Sequence, residues 1–210
     1  MEIVVLNTTG AETGKKVKLN KELFGIEPND HAMYLDVKQH LANRRQGTHK
    51  SKERAEIART TKKLKNQKGT GGARSGSRKS PLYVGGGRAF GPRPRDYSFK
   101  LNKKLKHLAV LSALSYKAKD KNITVIDAIS IAEPKTKNYS EILTNLKLNG
   151  KKVLLVLPNH DNNIYLSSRN LERNKVTTAA ELNTYDVLNA QNLVLVEGSV
   201  SVLENRFLSK

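Results

Sequence analysis

The residues best suited to chemistry lie in one internal stretch. It runs Gln67-Lys68-Gly69-Thr70-Gly71-Gly72-Ala73-Arg74-Ser75-Gly76-Ser77-Arg78-Lys79-Ser80-Pro81 and continues as Gly85-Gly86-Gly87-Arg88-Ala89-Phe90-Gly91-Pro92-Arg93-Pro94-Arg95-Asp96-Tyr97. Glycine lets a backbone approach a phosphate or a base closely and take left-handed conformations. The arginines and lysines between the glycines neutralise phosphates, and arginine also stacks on an unpaired base. Tyr83, Phe90 and Tyr97 add aromatic stacking surfaces. A flexible solvated linker has no use for so many cations, so the pattern predicts contact with nucleic acid.

Other chemistries fail on particular residues. A phosphate- or nucleotide-handling enzyme with a Gly-rich loop would need Lys-Ser/Thr after the second glycine of a phosphate loop; Gly71 and Gly76 have the right gap, but Ser77-Arg78 follows. Gly69-Thr70-Gly71 lacks the third glycine of a dinucleotide fingerprint, and Gly85, Gly87 and Gly91 miss its spacing. His31, His40, His49, His107 and His160 are scattered without a short-spaced ligand pair, so no metal site is expected. Asp161, after His160, reads as part of a loop or a helix start. No nucleophile–base constellation stands out. A membrane-surface segment would need a basic amphipathic helix, which the glycines oppose.

The charge is concentrated where the glycines are. The 210 residues carry a formal net charge of +19. From Arg44 to Lys106 there are 20 Lys/Arg against three acids (Glu53, Glu56 and Asp96), a net of +17, so all other residues together contribute only +2. Nine of the 14 glycines fall in the same segment. With so few large aliphatic residues it cannot bury enough apolar surface to fold alone, and it is expected to be mobile until a partner orders it. The absence of cysteine excludes disulfides and thiolate metal sites and fits a reducing compartment. The N-terminal residues do not read as a signal peptide, and no stretch approaches the roughly 18 apolar residues of a membrane span. A soluble intracellular protein is expected.

The flanks must position this segment. Ile3-Val4-Val5-Leu6 reads as a buried strand and Lys15 to Leu19 as a second, with Gly10 and Gly14 in the turn between them. Pro28-Asn29-Asp30 starts a helix with Met33, Tyr34, Val37 and Leu41 at helical spacing. Asn102 caps another, with Leu105, Leu108, Ala109 and Leu111 on one side and Lys103, Lys104 and Lys106 crowded into its first turns. Strands are expected at Ile123–Ile126, Val153–Leu157, near Val176 and at Leu193–Val196. Helices are expected from Ser140 to Gly150, around Ile164 to Leu171, near Tyr185 to Ala190 and after Ser199, the last carrying Val200, Leu203 and Phe207. The continuous apolar run Val153–Leu157 suits a strand buried on both faces. This alternation predicts an α/β fold, a mostly parallel sheet sandwiched by helices, with one long extended basic Gly-rich internal loop. Residues 1–46 and 98–210 form the single globular domain in this reading, and 47–97 the loop, disordered when free. With about 25 residues out and 25 back, the loop reaches at most roughly 80 Å.

Four blocks carry a resemblance. They are Arg45-Gln46-Gly47-Thr48-His49-Lys50 leading to Arg54-Ala55-Glu56; Gln67-Lys68-Gly69-Thr70-Gly71; Phe90-Gly91-Pro92-Arg93-Pro94-Arg95-Asp96-Tyr97-Ser98; and Leu101-Asn102-Lys103-Lys104. A fifth, weaker block is Ala132-Glu133-Pro134-Lys135-Thr136-Lys137. In this order they resemble the bacterial form of the universal ribosomal protein L-four family of the large subunit. The resemblance implies an α/β domain on the outer face of the large ribosomal subunit, in the cytoplasm. It also implies a loop that penetrates the large-subunit (23S-type) ribosomal RNA early in assembly and lines the narrow part of the nascent-peptide exit tunnel. Implied partners are that RNA, neighbouring large-subunit ribosomal proteins and the nascent peptide; no cofactor, metal, membrane, small-molecule substrate or enzymatic activity is implied. The RNA-binding residues expected are Arg44, Arg45, Lys50, Lys52, Arg54, Lys68, Arg74, Arg78, Lys79, Arg88, Arg93, Arg95, Lys103 and Lys104. The loop tip carries over to Gln67, Lys68, Gly69, Thr70, Gly71, Gly72 and Arg74. The chain departs from the family in two places: Leu64-Lys65-Asn66 stands where Pro-Trp-Arg is usual, and Gly72 where an arginine is common.

Overall fold

Short aliphatic runs alternate with amphipathic segments, and residues 2–208, described by a computed structural model, fold accordingly. Strands β1 (Glu2–Leu6) and β2 (Glu12–Lys18) are followed by the one-turn α1 (Lys21–Phe24) and by α2 (Asp30–Asn43). Residues 44–102 hold no helix and no strand beyond an isolated bridge between Lys63 and Ser77. Then come α3 (Lys103–Lys119), β3 (Ile123–Ile126), α4 (Thr136–Asn145), β4 (Val153–Leu157) and α5 (Asn162–Ser168). The chain ends with β5 (Asn174–Thr178), α6 (Thr184–Asn189), β6 (Asn192–Val196) and α7 (Glu197–Leu208). Two compact units result: Met1–Leu41 with Lys100–Lys210, and Ala42–Phe99.

The first unit is built on a six-stranded sheet of order β2-β1-β3-β6-β4-β5. Only β1 and β2 pair antiparallel; all other pairings are parallel. Successive side chains of a strand point to opposite faces, and the two central strands divide their residues accordingly. Leu154 and Val156 of β4, with Leu193 and Leu195 of β6, join a core with residues of α1, α2, α3, α6 and α7. Val153, Leu155 and Leu157, with Val194 and Val196, join a second core with Tyr139 and Leu143 of α4 and Ile164 of α5. Helices therefore cover both faces, which is why all five residues of β4 are buried.

Details differ from the sequence expectations where tertiary contacts outweigh local preference. Gly14 is not in the β1–β2 turn but inside β2, at φ +73. The register slips there, from Val4 opposite Lys16 to Leu6 opposite Glu12, and the Thr13 hydroxyl donates to the Val5 carbonyl (2.8 Å) across the bulge. The buried residues of α2 are Ala32, Met33 and Gln39, whereas Tyr34 is 58% and Leu41 45% exposed. Contacts from other elements set its rotation: Tyr116 of α3 donates to Asp30 (2.8 Å), the Asn29 N–H donates to the buried Ser112 hydroxyl (3.1 Å), and Thr184 donates to Asp36. Ser140 lies inside α4, which begins at Thr136 and stops at Asn145, well short of Gly150. Ser199 also lies inside its helix, with its hydroxyl donating to the Val196 carbonyl (2.6 Å). Asp161 does cap α5, accepting from the N–H groups of Asn163 and Ile164.

Candidate nucleic-acid interface

The unit spanning Ala42–Phe99 is two limbs held by sparse cross-links rather than by a core. Near its ends the Arg95 N–H donates to the Gly47 carbonyl (3.3 Å) and the Ser51 N–H to that of Pro92 (3.1 Å). Further along, the Arg88 N–H reaches Lys52 (3.0 Å), the Arg59 guanidinium reaches the Val84 carbonyl (2.9 Å), and Leu64 pairs with Gly76 (3.1 Å). The partners rise along one limb as they fall along the other, so the outgoing and returning chains run antiparallel. Glycine is required where they touch. A Cβ on Gly47 (φ +65) would lie 2.1 Å from the Arg95 carbonyl oxygen, and one on Gly87 would lie 2.4 Å from the Arg54 nitrogen.

Cations and aromatics at the base of the limbs are stacked together. The Arg45 guanidinium sits 3.7 Å and that of Arg95 4.5 Å from the centre of the Tyr97 ring. The Tyr97 hydroxyl lies 3.1 Å from His49 Nε2. Tyr97 is thus occupied internally by cation–π contacts, a different use from the open stacking surface expected for it. Two of the three acids serve as internal counterions, Glu56 to Lys50 and Glu53 to Arg93. The hydrogen bond from Lys50, then that from the Glu53 N–H, holds the Glu56 carboxyl below its ordinary 4.5. Asp96 is held below its ordinary 3.8 by the Ser98 N–H and then the Ser98 hydroxyl.

The cations of the limbs, including those with internal contacts, face outward. Arg44, Arg45, Lys50, Lys52, Arg54, Lys68, Arg74, Arg78, Arg88, Arg93 and Arg95 are exposed, and Lys79 is half-buried. Residues 67–74 are exposed throughout; Gly69 (φ +81) and Gly71 (φ +63) meet nothing within 4 Å of a built Cβ. Gln67 accepts a hydrogen bond from Lys63. In the other unit, Lys103 and Lys104 are exposed in the first turn of α3, which contains no acid. Asn102 occupies the N-cap position without a side-chain hydrogen bond. No group of three or more His, Asp or Glu among the described residues could hold a metal, and no helix among them is long and apolar enough to cross a membrane.

Residues 17–206 match the Ribosomal protein L4/L1 family. The chain belongs to this family. It is 62% identical over 207 residues to the large ribosomal subunit protein uL4 of Parabacteroides distasonis, covering 99% of both chains. It is 59% identical over 210 residues to uL4 of Flavobacterium psychrophilum, covering 100% of both, and 58% identical over 204 residues to uL4 of Cytophaga hutchinsonii, covering 97% of this chain and 98% of that one. As a member of the L4/L1 family it is a ribosomal protein and structural rather than enzymatic.

Some features outside the expected residue set become visible only in the folded chain. Leu82 and Val84 are 90% and 98% exposed, near Phe90, the expected stacking surface, which is 108% exposed. Arg59 bridges the limbs through a backbone carbonyl 25 residues away, and Glu53 and Glu56 tether cations. No sequence spacing signals such pairings.

Proposed function

We propose that this chain is a structural constituent of the large ribosomal subunit, in the cytoplasm, and binds large-subunit ribosomal RNA early in assembly. Arg44, Arg45, Lys50, Lys52, Arg54, Arg93, Arg95, Lys103 and Lys104 anchor the RNA, with Lys68, Arg74, Arg78, Lys79 and Arg88 adding contacts along the limbs. Gln67 through Arg74 line the nascent-peptide exit tunnel. The observation that carries RNA binding is uncompensated exposed charge. Within residues 42–99 there are 16 Lys/Arg against three acids, a net of +13, and two of those acids are already paired with Lys50 and Arg93. Ordering such a segment costs conformational entropy that only charge neutralisation and stacking by RNA offset. The glycine-rich, exposed tip supports the tunnel assignment, because it holds few cations to spend on phosphate.

The test is co-sedimentation with the large ribosomal subunit, together with RNA affinity measured against salt. If about ten cations meet phosphates, log affinity falls against log salt with a slope near −7 to −9. A slope near zero, or failure to enter the subunit, contradicts the proposal.

A further inference from the structure

The limbs enclose a cleft of about 740 Å³ whose lining includes Glu53, Arg54, Gly87, Arg88, Phe90 and Arg93. Resting on the RNA-binding reading above, we infer that this cleft takes one nucleotide splayed out of the RNA, its base on the Phe90 ring and its phosphate among Arg54, Arg88 and Arg93. Phe90 is fully exposed (108%), so its apolar face is unused within the described residues. A buried phenylalanine is strongly favoured over a solvated one, and a nucleobase supplies the flat π-face that this ring lacks. Three guanidiniums share the same cleft. An apolar protein surface covering Phe90 would have to desolvate all three, whereas a nucleotide brings a phosphate for Arg54 and Arg88, with Arg93 held alongside by Glu53. The volume lies within the roughly 300–1,000 Å³ of small-ligand sites and is too small for a duplex.

The walls are built for the task. Gly87 lets the two backbones meet where a Cβ would clash at 2.4 Å. Glu53 holds the Arg93 guanidinium in place at 2.5 Å, while Arg54 and Arg88 have no ion-pair partner among the described residues. Single-stranded, unstacked bases are what proteins read in RNA by aromatic and arginine stacking.

The experiment uses the full chain and a transcript of the large-subunit RNA. Photocrosslinking followed by mass spectrometry should yield an adduct of the Phe90 peptide with one nucleotide that is unpaired in the RNA. Phe90→Leu keeps the apolar volume but loses the ring, so it should lose the adduct and about 5- to 150-fold in affinity. Phe90→Trp should restore both, and Val84→Ala, equally exposed but outside the cleft, should bind as the parent does. Phe90→Leu binding like the parent, with an unchanged salt slope, overturns the inference and leaves RNA binding standing. So does a crosslink from Phe90 to a neighbouring protein in the assembled subunit. A parent chain that binds the transcript without steep salt dependence fails the RNA-binding reading itself.

Discussion

At the scale of single residues, the two units follow different rules. In the sheet-based unit buried polar groups mostly have partners; among the described residues the exceptions are the Asn174 side-chain oxygen and the Ser115 hydroxyl, which sits in the middle of α3. Leaving such a group unsatisfied costs about 1–3 kcal/mol, and alanine is also the better helix former. Ser115→Ala should therefore raise stability by about 1–2 kcal/mol, measured by urea unfolding of the otherwise unaltered chain; a loss would mean the hydroxyl is satisfied in solution. In the basic unit the sensitive residues are glycines. Gly47→Ala adds left-handed strain of about 1–2 kcal/mol and a clash with the Arg95 carbonyl, beside the Arg45–Tyr97–Arg95 stack. Gly69→Ala incurs similar strain in open space. RNA affinity should fall on the order of tenfold or more for Gly47→Ala and distinctly less for Gly69→Ala. Equal losses would place the important close approach at the tip. The lowered carboxyl pKa values act locally: the contributions of Glu56 and Asp96 are complete above their ordinary 4.5 and 3.8 and disappear as pH falls through the lowered values.

At the scale of elements, α3 is designed against its own stability. Lys103, Lys104 and Lys106 stand in its first turns, and its first turn has no acid. Cations there oppose the helix dipole and repel one another, a cost of about 0.3–1 kcal/mol each way. Lys103→Gln with Lys104→Gln should stabilise the free protein by thermal unfolding while weakening RNA binding, which separates a functional charge from a structural one. A variant that is less stable and binds RNA unchanged would overturn the anchoring role. The base and the tip of the limbs divide labour in the same way. Replacing several base cations, such as Arg44, Arg45, Arg54 and Arg95, with alanine should weaken RNA binding and slow subunit assembly. Deleting the tip from Lys68 to Gly72 removes a single cation. It should leave assembly largely intact and instead alter sensitivity to tunnel-binding macrolides or to peptides that stall in the tunnel. Subunit yield and drug sensitivity of the two variants, side by side, decide it: a tip deletion that blocks assembly beside silent base mutations would reverse the roles.

At the scale of the whole molecule, one unit has a core on each side of a sheet and the other has none. The buried residues of both core clusters belong to the first unit, while the second is held by a few backbone bonds, ion pairs and cation–π contacts. Exchange and proteolysis follow local unfolding free energy, which sparse exposed hydrogen bonds keep low. Residues 47–97 of the free protein should therefore exchange amide hydrogens rapidly and be cut first by protease, while β3, β4 and β6 stay protected. Binding RNA should slow exchange in 47–97. Strong protection there without RNA would contradict disorder in the free state.

The alternation of aliphatic runs with amphipathic segments determined the strands, the helices after them and the parallel sheet, because period and propensity are local properties. Charge and glycine density likewise marked out the basic segment, since a net of +17 and nine of the 14 glycines fall in one stretch. The tertiary structure alone decided which face of α2 is buried, because Tyr116, Ser112 and Thr184, far along the chain, hold that helix by its N-terminal half. It also moved the helix starts away from Ser140 and Ser199, where a local capping preference yielded to packing. It distinguished Tyr97 from Phe90 as well. Both are aromatic residues among arginines, yet Arg45 reaches across 52 positions to cover the first, and nothing in the described chain covers the second. Such contacts join residues whose separation leaves no periodic trace, so they exist only once the chain is folded.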